Sequence, residues 1–138
     1  MWILYAIGSS FFAGITAILA KCGIQKTDSD VATALRTVVV LVFSWILVFF
    51  TGTMSGVNNI SGRTLLFLVL SGLATGASWL CYYRALQEGP ASVVVPIDKL
   101  SILVTIAFSR IVFKEKLTPK STTGIVLLTL GTLLMTMI

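Results

Sequence analysis

A bundle of apolar α-helices that crosses a membrane five times is the fold class this sequence predicts, all-α and integral to the bilayer. Three observations carry it. Hydrophobic residues make up 57% of the chain and charged ones only 11%, whereas soluble domains carry about a quarter charged residues. The mean hydropathy is +1.01. The apolar residues also come in runs long enough to cross lipid, since ~20 residues of helix span a hydrocarbon core about 30 Å thick. A single transmembrane domain over residues 1–138 is therefore expected.

The first span, residues 2–20, runs from Trp2 to Ala20 without a charge. Leu19-Ala20-Lys21-Cys22 looks faintly like a lipoprotein cleavage site, but Lys21 stands where a small residue is needed and no basic segment comes before it. The span is expected to be retained. A polar connection from Lys21 to Asp30 leads to the second span, 35–51, with Arg36 at its entrance and Phe49-Phe50 at its exit. Residues 52–62 are rich in Gly, Ser and Asn and read as a loop. The third span, 64–86, is interrupted only by small residues and stops at Glu88-Gly89-Pro90. The fourth, 91–113, contains Pro96-Ile97-Asp98-Lys99 and ends at Lys114-Glu115-Lys116. Thr118-Pro119 reads as an N-cap followed by proline at the first helical position, which opens the fifth span, 121–138.

Ten Lys and Arg stand against five Asp and Glu. The bases sit singly at the ends of apolar runs and are not interleaved with aromatics, so they read as topology signals and snorkelling anchors rather than as a nucleic-acid surface. Arg63, Lys114, Lys116 and Lys120 flank the side of the N-terminus and Lys26 the other, which places the N-terminus in the cytoplasm. An odd number of spans puts the termini on opposite sides. If they lie at span ends, Lys21, Arg36, Arg84 and Lys99 belong near the opposite side and would nearly cancel the bias, so insertion in both orientations stays open. The expected location is the cytoplasmic (inner) membrane, multi-pass, with membrane lipids as constant partners.

Histidine is absent from the sequence, and Cys22 and Cys81 lack metal-ligand spacing and read as small apolar residues. No metal or other cofactor is expected. With one plausible intramembrane carboxylate, neither a triad nor a carboxylate dyad can be assembled, so the chain is not expected to be an enzyme.

Small residues mark three helix faces. Gly72 and Gly76 form a GxxxG pattern in register with Trp79 and Tyr83, Ser9, Ala13, Thr16 and Ala20 form a stripe on span one, and Gly124 pairs with Gly131 on span five. Close packing inside the bundle or a substrate-lining role accounts for all three, packing being the commoner use of such faces. Span four is more informative, because Asp98, Ser101, Thr105 and Ser109 share one face of an apolar helix. If that helix starts near Ala91, Asp98 lies about two turns inside, at a cost of roughly 2.5–3.5 kcal/mol that usually marks a solute path. If it starts at Pro96, Asp98 sits in the first turn, favoured by the helix dipole. Lys99 is expected to point about 100° away and so not to neutralise Asp98, leaving Arg36, Arg84 or Lys21 as partners. Trp79, Tyr82 and Tyr83 suit either an aromatic pocket or the interfacial belt.

Tyr83-Arg84-Ala85-Leu86, then Gly89-Pro90-Ala91-Ser92, Pro96, Lys114-Glu115-Lys116-Leu117-Thr118, and Gly124 with Gly131 follow one another in an order and spacing that resembles the EamA family of the drug/metabolite transporter superfamily. Arg36 opening span two fits the same pattern. The resemblance covers the whole chain, which is similar to one of the two oppositely oriented five-helix repeats that most members contain, as in the short single-repeat members. It implies one drug/metabolite-transporter-type repeat of five transmembrane helices, export or exchange of small metabolites, and a central cavity lined by spans one, three and four. Two departures stand out. The second proline that the family commonly has around Leu100 to Ile102 is missing, with Asp98-Lys99 just before that position, and span one lacks the membrane glutamate of small multidrug resistance proteins.

The expected function is a secondary transporter of a small-molecule substrate, acting as a homodimer, parallel or antiparallel, by alternating access. Its expected substrate-binding residues are Asp98, Lys99, Ser101, Thr105, Trp79, Tyr82, Tyr83 and Arg36. The alternative is a non-transporting membrane subunit, such as a partner in a lipid-carrier flippase or another assembly.

Overall fold

A computed structural model describes residues 1–137; Ile138, the end of the expected fifth span, lies outside the described residues. In chain order the elements are α1 (Trp2–Gly23), α2 (Ser29–Thr51), a 3-10 helix (Thr53–Asn59), α3 (Gly62–Glu88), α4 (Ala91–Asp98), α5 (Ser101–Val112) and α6 (Pro119–Thr136). Among the described residues there is no strand. By length and composition, four stretches can cross a membrane: α1, α2, α3, and Ala91–Val112, which α4 and α5 make together. α6 is not among them, because its 18 residues open on Pro119-Lys120-Ser121 and so dilute an apolar run that begins only at Ile125. The chain forms two compact units, Met1–Glu88 and the part from Gly89 onward.

In the first unit α2 begins six residues earlier than the apolar run indicates. Asp28 is its N-cap and accepts a hydrogen bond from the Asp30 backbone N–H at 2.9 Å, satisfying one of the donors a helix start leaves free. Arg36 consequently lies not at the entrance of the helix but about two turns inside it. The far end is closed by Gly52 at φ 70°, a left-handed cap that a residue with a Cβ adopts only with strain. The expected loop after it is mostly the 3-10 helix.

α3 packs on both α1 and α2. The buried residues Ala17, Ile24, Ser29, Thr33, Tyr83 and Leu86 gather where α1 ends, α2 begins and α3 ends. Polar groups tie the same corner. Lys21 Nζ donates to the Leu86 carbonyl, and Gln87 Nε2 donates to the carbonyls of Ile24 (3.0 Å) and Thr27 (2.9 Å). Those carbonyls belong to a helix end and a loop, where intrahelical partners run out, so side-chain donors from α3 satisfy them. Away from this corner the large apolar side chains of the unit are exposed, which costs nothing against lipid tails that are as apolar as they are.

In the second unit Pro96 lies inside α4. It has no N–H to donate to the Ser92 carbonyl and its ring crowds that carbonyl, so the helix is weakened there. The chain passes from α4 to α5 through i to i+3 bonds, Leu100 N–H to Ile97 O (2.9 Å), Ile102 N–H to Lys99 O (3.1 Å) and Leu103 N–H to Leu100 O (2.9 Å), the tighter 3-10 geometry. A helix starting at Pro96 is thus overturned: α4 starts at Ala91, after the extended Pro90, and Asp98 is its last residue. α4 packs on α6. At the start of α6, Thr118 caps as expected, its hydroxyl accepting from the Ser121 N–H at 3.2 Å, with Pro119 at the first helical position.

Candidate functional site

Trp79 and Tyr83 are one turn apart on α3 and so share a face. That face meets Arg36 of α2. The guanidinium carbon stands 3.4 Å from the centroid of the Trp79 ring and 5.6 Å from that of Tyr83. Such stacking is worth about 0.5–2 kcal/mol, more as water is excluded. Tyr83 is 3% exposed, and the half-buried Tyr82 holds its ring 6.2 Å from the Tyr83 ring. Tyr82 thus neighbours Tyr83, and Trp79 and Tyr83 both contact the Arg36 cation.

Beside them is a cavity of ≈510 Å³. Thr16 and Ala20 of α1, Thr27 of the α1–α2 connection, Arg36 and Val40 of α2, and Tyr83 of α3 are among its lining residues, and most of the remainder are aliphatic. Thr16 and Ala20 belong to the small-residue stripe of the first span. Thr27 was not foreseen, and nothing in the polar connection singles it out. The Thr16 hydroxyl donates to the Phe12 carbonyl at 2.8 Å, which leaves its oxygen able to accept from elsewhere.

Stacking occupies the face of the guanidinium and leaves its five N–H donors at the edge. Among the described residues none accepts a hydrogen bond from Arg36 or forms an ion pair with it. Asp28, the nearest acid before it in sequence other than Asp30, spends its side chain on the helix cap. A charged group within a membrane helix is costly, by roughly 2.5–3.5 kcal/mol at the helix centre and less toward an end, and such groups usually pair or face a water-filled space. Arg36 has rings and a cavity.

The other expected site residues lie in the second unit. Lys99 Nζ approaches Asp98 Oδ2 to 3.9 Å, so Lys99 turns toward Asp98 and not about 100° away from it as expected. The helix ends between them, and the four-carbon lysine stem reaches back over the turn. The contact is loose, with side chains 49% and 39% exposed for Lys99 and Asp98, so it contributes little. The partners expected for Asp98 are engaged within the first unit: Arg36 with its rings, Arg84 with Glu88 at 3.1 Å, and Lys21 with the Leu86 carbonyl. Asp98 sits at the negative end of the α4 dipole, an unfavourable place for a carboxylate, with the positive N-terminus of α5 three residues on.

Ser101, Thr105 and Ser109 continue the face along α5. Hydroxyls in membrane helices ordinarily bond back to the carbonyl a turn earlier, as Thr16, Thr33, Thr75 and Thr129 do. Among the described helical threonines, Thr105 alone makes no side-chain hydrogen bond, and neither Ser101 nor Ser109 makes one. A hydroxyl left free in this way suits water or a solute. Cysteine at Thr105 is expected to react with a water-soluble maleimide in membranes, and cysteine at Val104, on the adjoining apolar face, to stay inert. Equal inertness at both positions would reduce the stripe to packing.

The sequence profile of the EamA-like transporter family matches residues 1–137. An uncharacterised transporter from the region 3′ of cobO in a Sinorhizobium species is 46% identical over 134 residues, which cover 97% of this chain and 95% of that one. An uncharacterised protein of Methanocaldococcus jannaschii is 34% identical over 73 residues, 53% of each chain. No solved structure matches the chain at a significant level.

Proposed function

The chain belongs to the EamA-like transporter family, and from that premise we propose that it is a secondary transporter of small metabolites, an exporter or exchanger of the cytoplasmic membrane. The observation that carries the reading is Arg36. A cation about two turns inside an apolar helix, stacked on Trp79 and Tyr83 and bordering a ≈510 Å³ cavity, is built for a solute rather than for stability. A membrane multi-pass transporter accords with the family and with the transporter-named relative. Neither points to catalysis.

In this reading the chain is one membrane domain of five spans, with α6 as the fifth. Pro119 to Ser121 lie at the headgroup level and the apolar run from Ile125 enters the lipid. Arg36, Trp79, Tyr82 and Tyr83 are the solute-contacting residues proposed for the first unit, and the polar stripe of Asp98, Lys99, Ser101 and Thr105 those proposed for the second. Two copies work together as a homodimer, because alternating access needs two halves that exchange roles and one five-helix repeat provides a single half. An added Cβ would meet nothing within 4 Å at Gly72, Gly76, Gly124 or Gly131, so these faces are open for a second copy.

Purified protein reconstituted into liposomes that enclose a defined mixture of amino acids, organic acids, sugars and nucleosides tests the reading. One or a few solutes are expected to leave faster than from protein-free liposomes, with the excess lost in Arg36→Gln. Release no faster than from protein-free liposomes for every solute would overturn transport and leave a non-transporting subunit of a larger assembly.

A further inference from the structure

We infer that the cavity beside Arg36 takes the carboxylate of a small organic anion with an apolar body, the guanidinium edge receiving the carboxylate while Trp79 backs its face. This rests on the transporter reading for the anion's being the cargo, but the site stands on its own geometry. The guanidinium is planar. With its face 3.4 Å from the Trp79 centroid, its donors project from the edge as a fork, which matches the two oxygens of a carboxylate in parallel hydrogen bonds. No carboxylate of the described residues fills that fork.

The surroundings decide what is attached to the carboxylate. Leu19, Ile24, Leu35 and Val39 line the cavity with Ala20 and Val40, and hydroxyls come only from Thr16, Thr27 and Tyr83. A sugar or a polyol would leave most of its hydroxyls unpaired on such walls, at a penalty for each. A cation would meet Arg36. An anion whose remaining atoms are apolar satisfies both the edge and the walls, and ≈510 Å³ lies within the usual range for sites that hold small ligands. Tyr83 adds a polar point, being 3% exposed with a hydroxyl that makes no hydrogen bond to the described residues.

The stacked tryptophan is also the reporter. In the full chain carrying Trp2→Phe and Trp45→Phe, Trp79 is the remaining tryptophan, and its emission is expected to respond when a carboxylate draws on the guanidinium that covers it. Phenylacetate is the probe and phenylacetamide its neutral isostere, both added to protein in a non-ionic detergent. A saturable change with phenylacetate is expected, with phenylacetamide about tenfold weaker or more, because the amide loses the ion pair and the second acceptor oxygen and keeps only a hydrogen bond from the guanidinium to a neutral carbonyl. Arg36→Lys, which keeps the charge but loses the fork, should weaken the response, and Arg36→Gln should remove it. The acid and amide pair decides the matter on protein with Arg36 intact even if both variants fail to fold.

An equal response to acid and amide would overturn the assignment in favour of a neutral solute, and no response to phenylacetate would overturn it outright. A response to inorganic phosphate or to phosphatidylglycerol, with none to phenylacetate, would overturn it in favour of a phosphate, free or lipid-borne respectively. Since nothing is transported in this measurement, its failure alongside solute release from liposomes would discard the carboxylate and keep the transporter.

Discussion

Truncating Leu86 to alanine is expected to lower stability by about 2–5 kcal/mol, while the same change at Leu73 costs little. Leu86 is 0% exposed and Leu73 67%. The contrast is informative because both are leucines of one membrane helix, so neither loses hydrophobic transfer out of water in the usual sense. What Leu86 loses is packing: dispersion contacts with the corner where α1, α2 and α3 meet, and a void left in their place. Its carbonyl, which accepts from Lys21, stays. Reversible unfolding by added SDS in mixed micelles, followed by helical circular dichroism, measures the difference. Comparable losses at both leucines would mean that the corner is no better packed than the lipid-facing surface. Leu86 is one turn beyond Tyr83, so a loosened corner should also blunt the response of Trp79 to phenylacetate.

How much of this was legible in the sequence differs by element. The apolar runs gave four of the membrane-length helices, with α1 and α3 extending two or three residues past the expected ends, and Thr118-Pro119 marked the start of α6 correctly. The start of α2 was misplaced because its first turns, Ser29 to Ala34, carry polar residues that serve the corner instead of the lipid. Asp28-Ser29-Asp30 was the available signal, an N-cap with an acid in the first turn. That misplacement hid the depth of Arg36. The pairing of Arg36 with Trp79 and Tyr83 was not readable at all, since it depends on which face of α3 turns toward α2, and sequence spacing fixes the face of each helix but not the neighbour. The interruption at Pro96 was visible, yet where the helix begins around it depended on the tightened turn at Lys99-Leu100, which no residue type there announces.

The arrangement of two copies yields an all-or-none result. Thr27 and Asn58 lie beyond opposite ends of α2, separated by roughly 33 Å of helix at 1.5 Å per residue. Gln87 holds the Thr27 carbonyl, which no substitution of that side chain removes, so the loop stays at the α1 end. After Cys22 and Cys81, both exposed, are replaced by alanine, Thr27→Cys in one copy and Asn58→Cys in another are expected to be joined by a short bismaleimide. That requires the two loops to lie on one side of the membrane, and hence the two copies to be inverted. The charge bias is small: Arg63, Lys114, Lys116 and Lys120 stand against Lys26, with Lys21 and Arg84 near the same side as Lys26, so a pair of inverted copies is compatible with it. The open face at Gly72 and Gly76 admits a second backbone at close range in either orientation, so packing alone does not choose. The proposed alternating-access function would choose the inverted pair, because inverted copies would make the inward-open and outward-open states equivalent, as inverted repeats do within one chain. Cross-links confined to Thr27→Cys with Thr27→Cys, and Asn58→Cys with Asn58→Cys, would make the pair parallel, and the Arg36 sites of both copies would then open to the same side together.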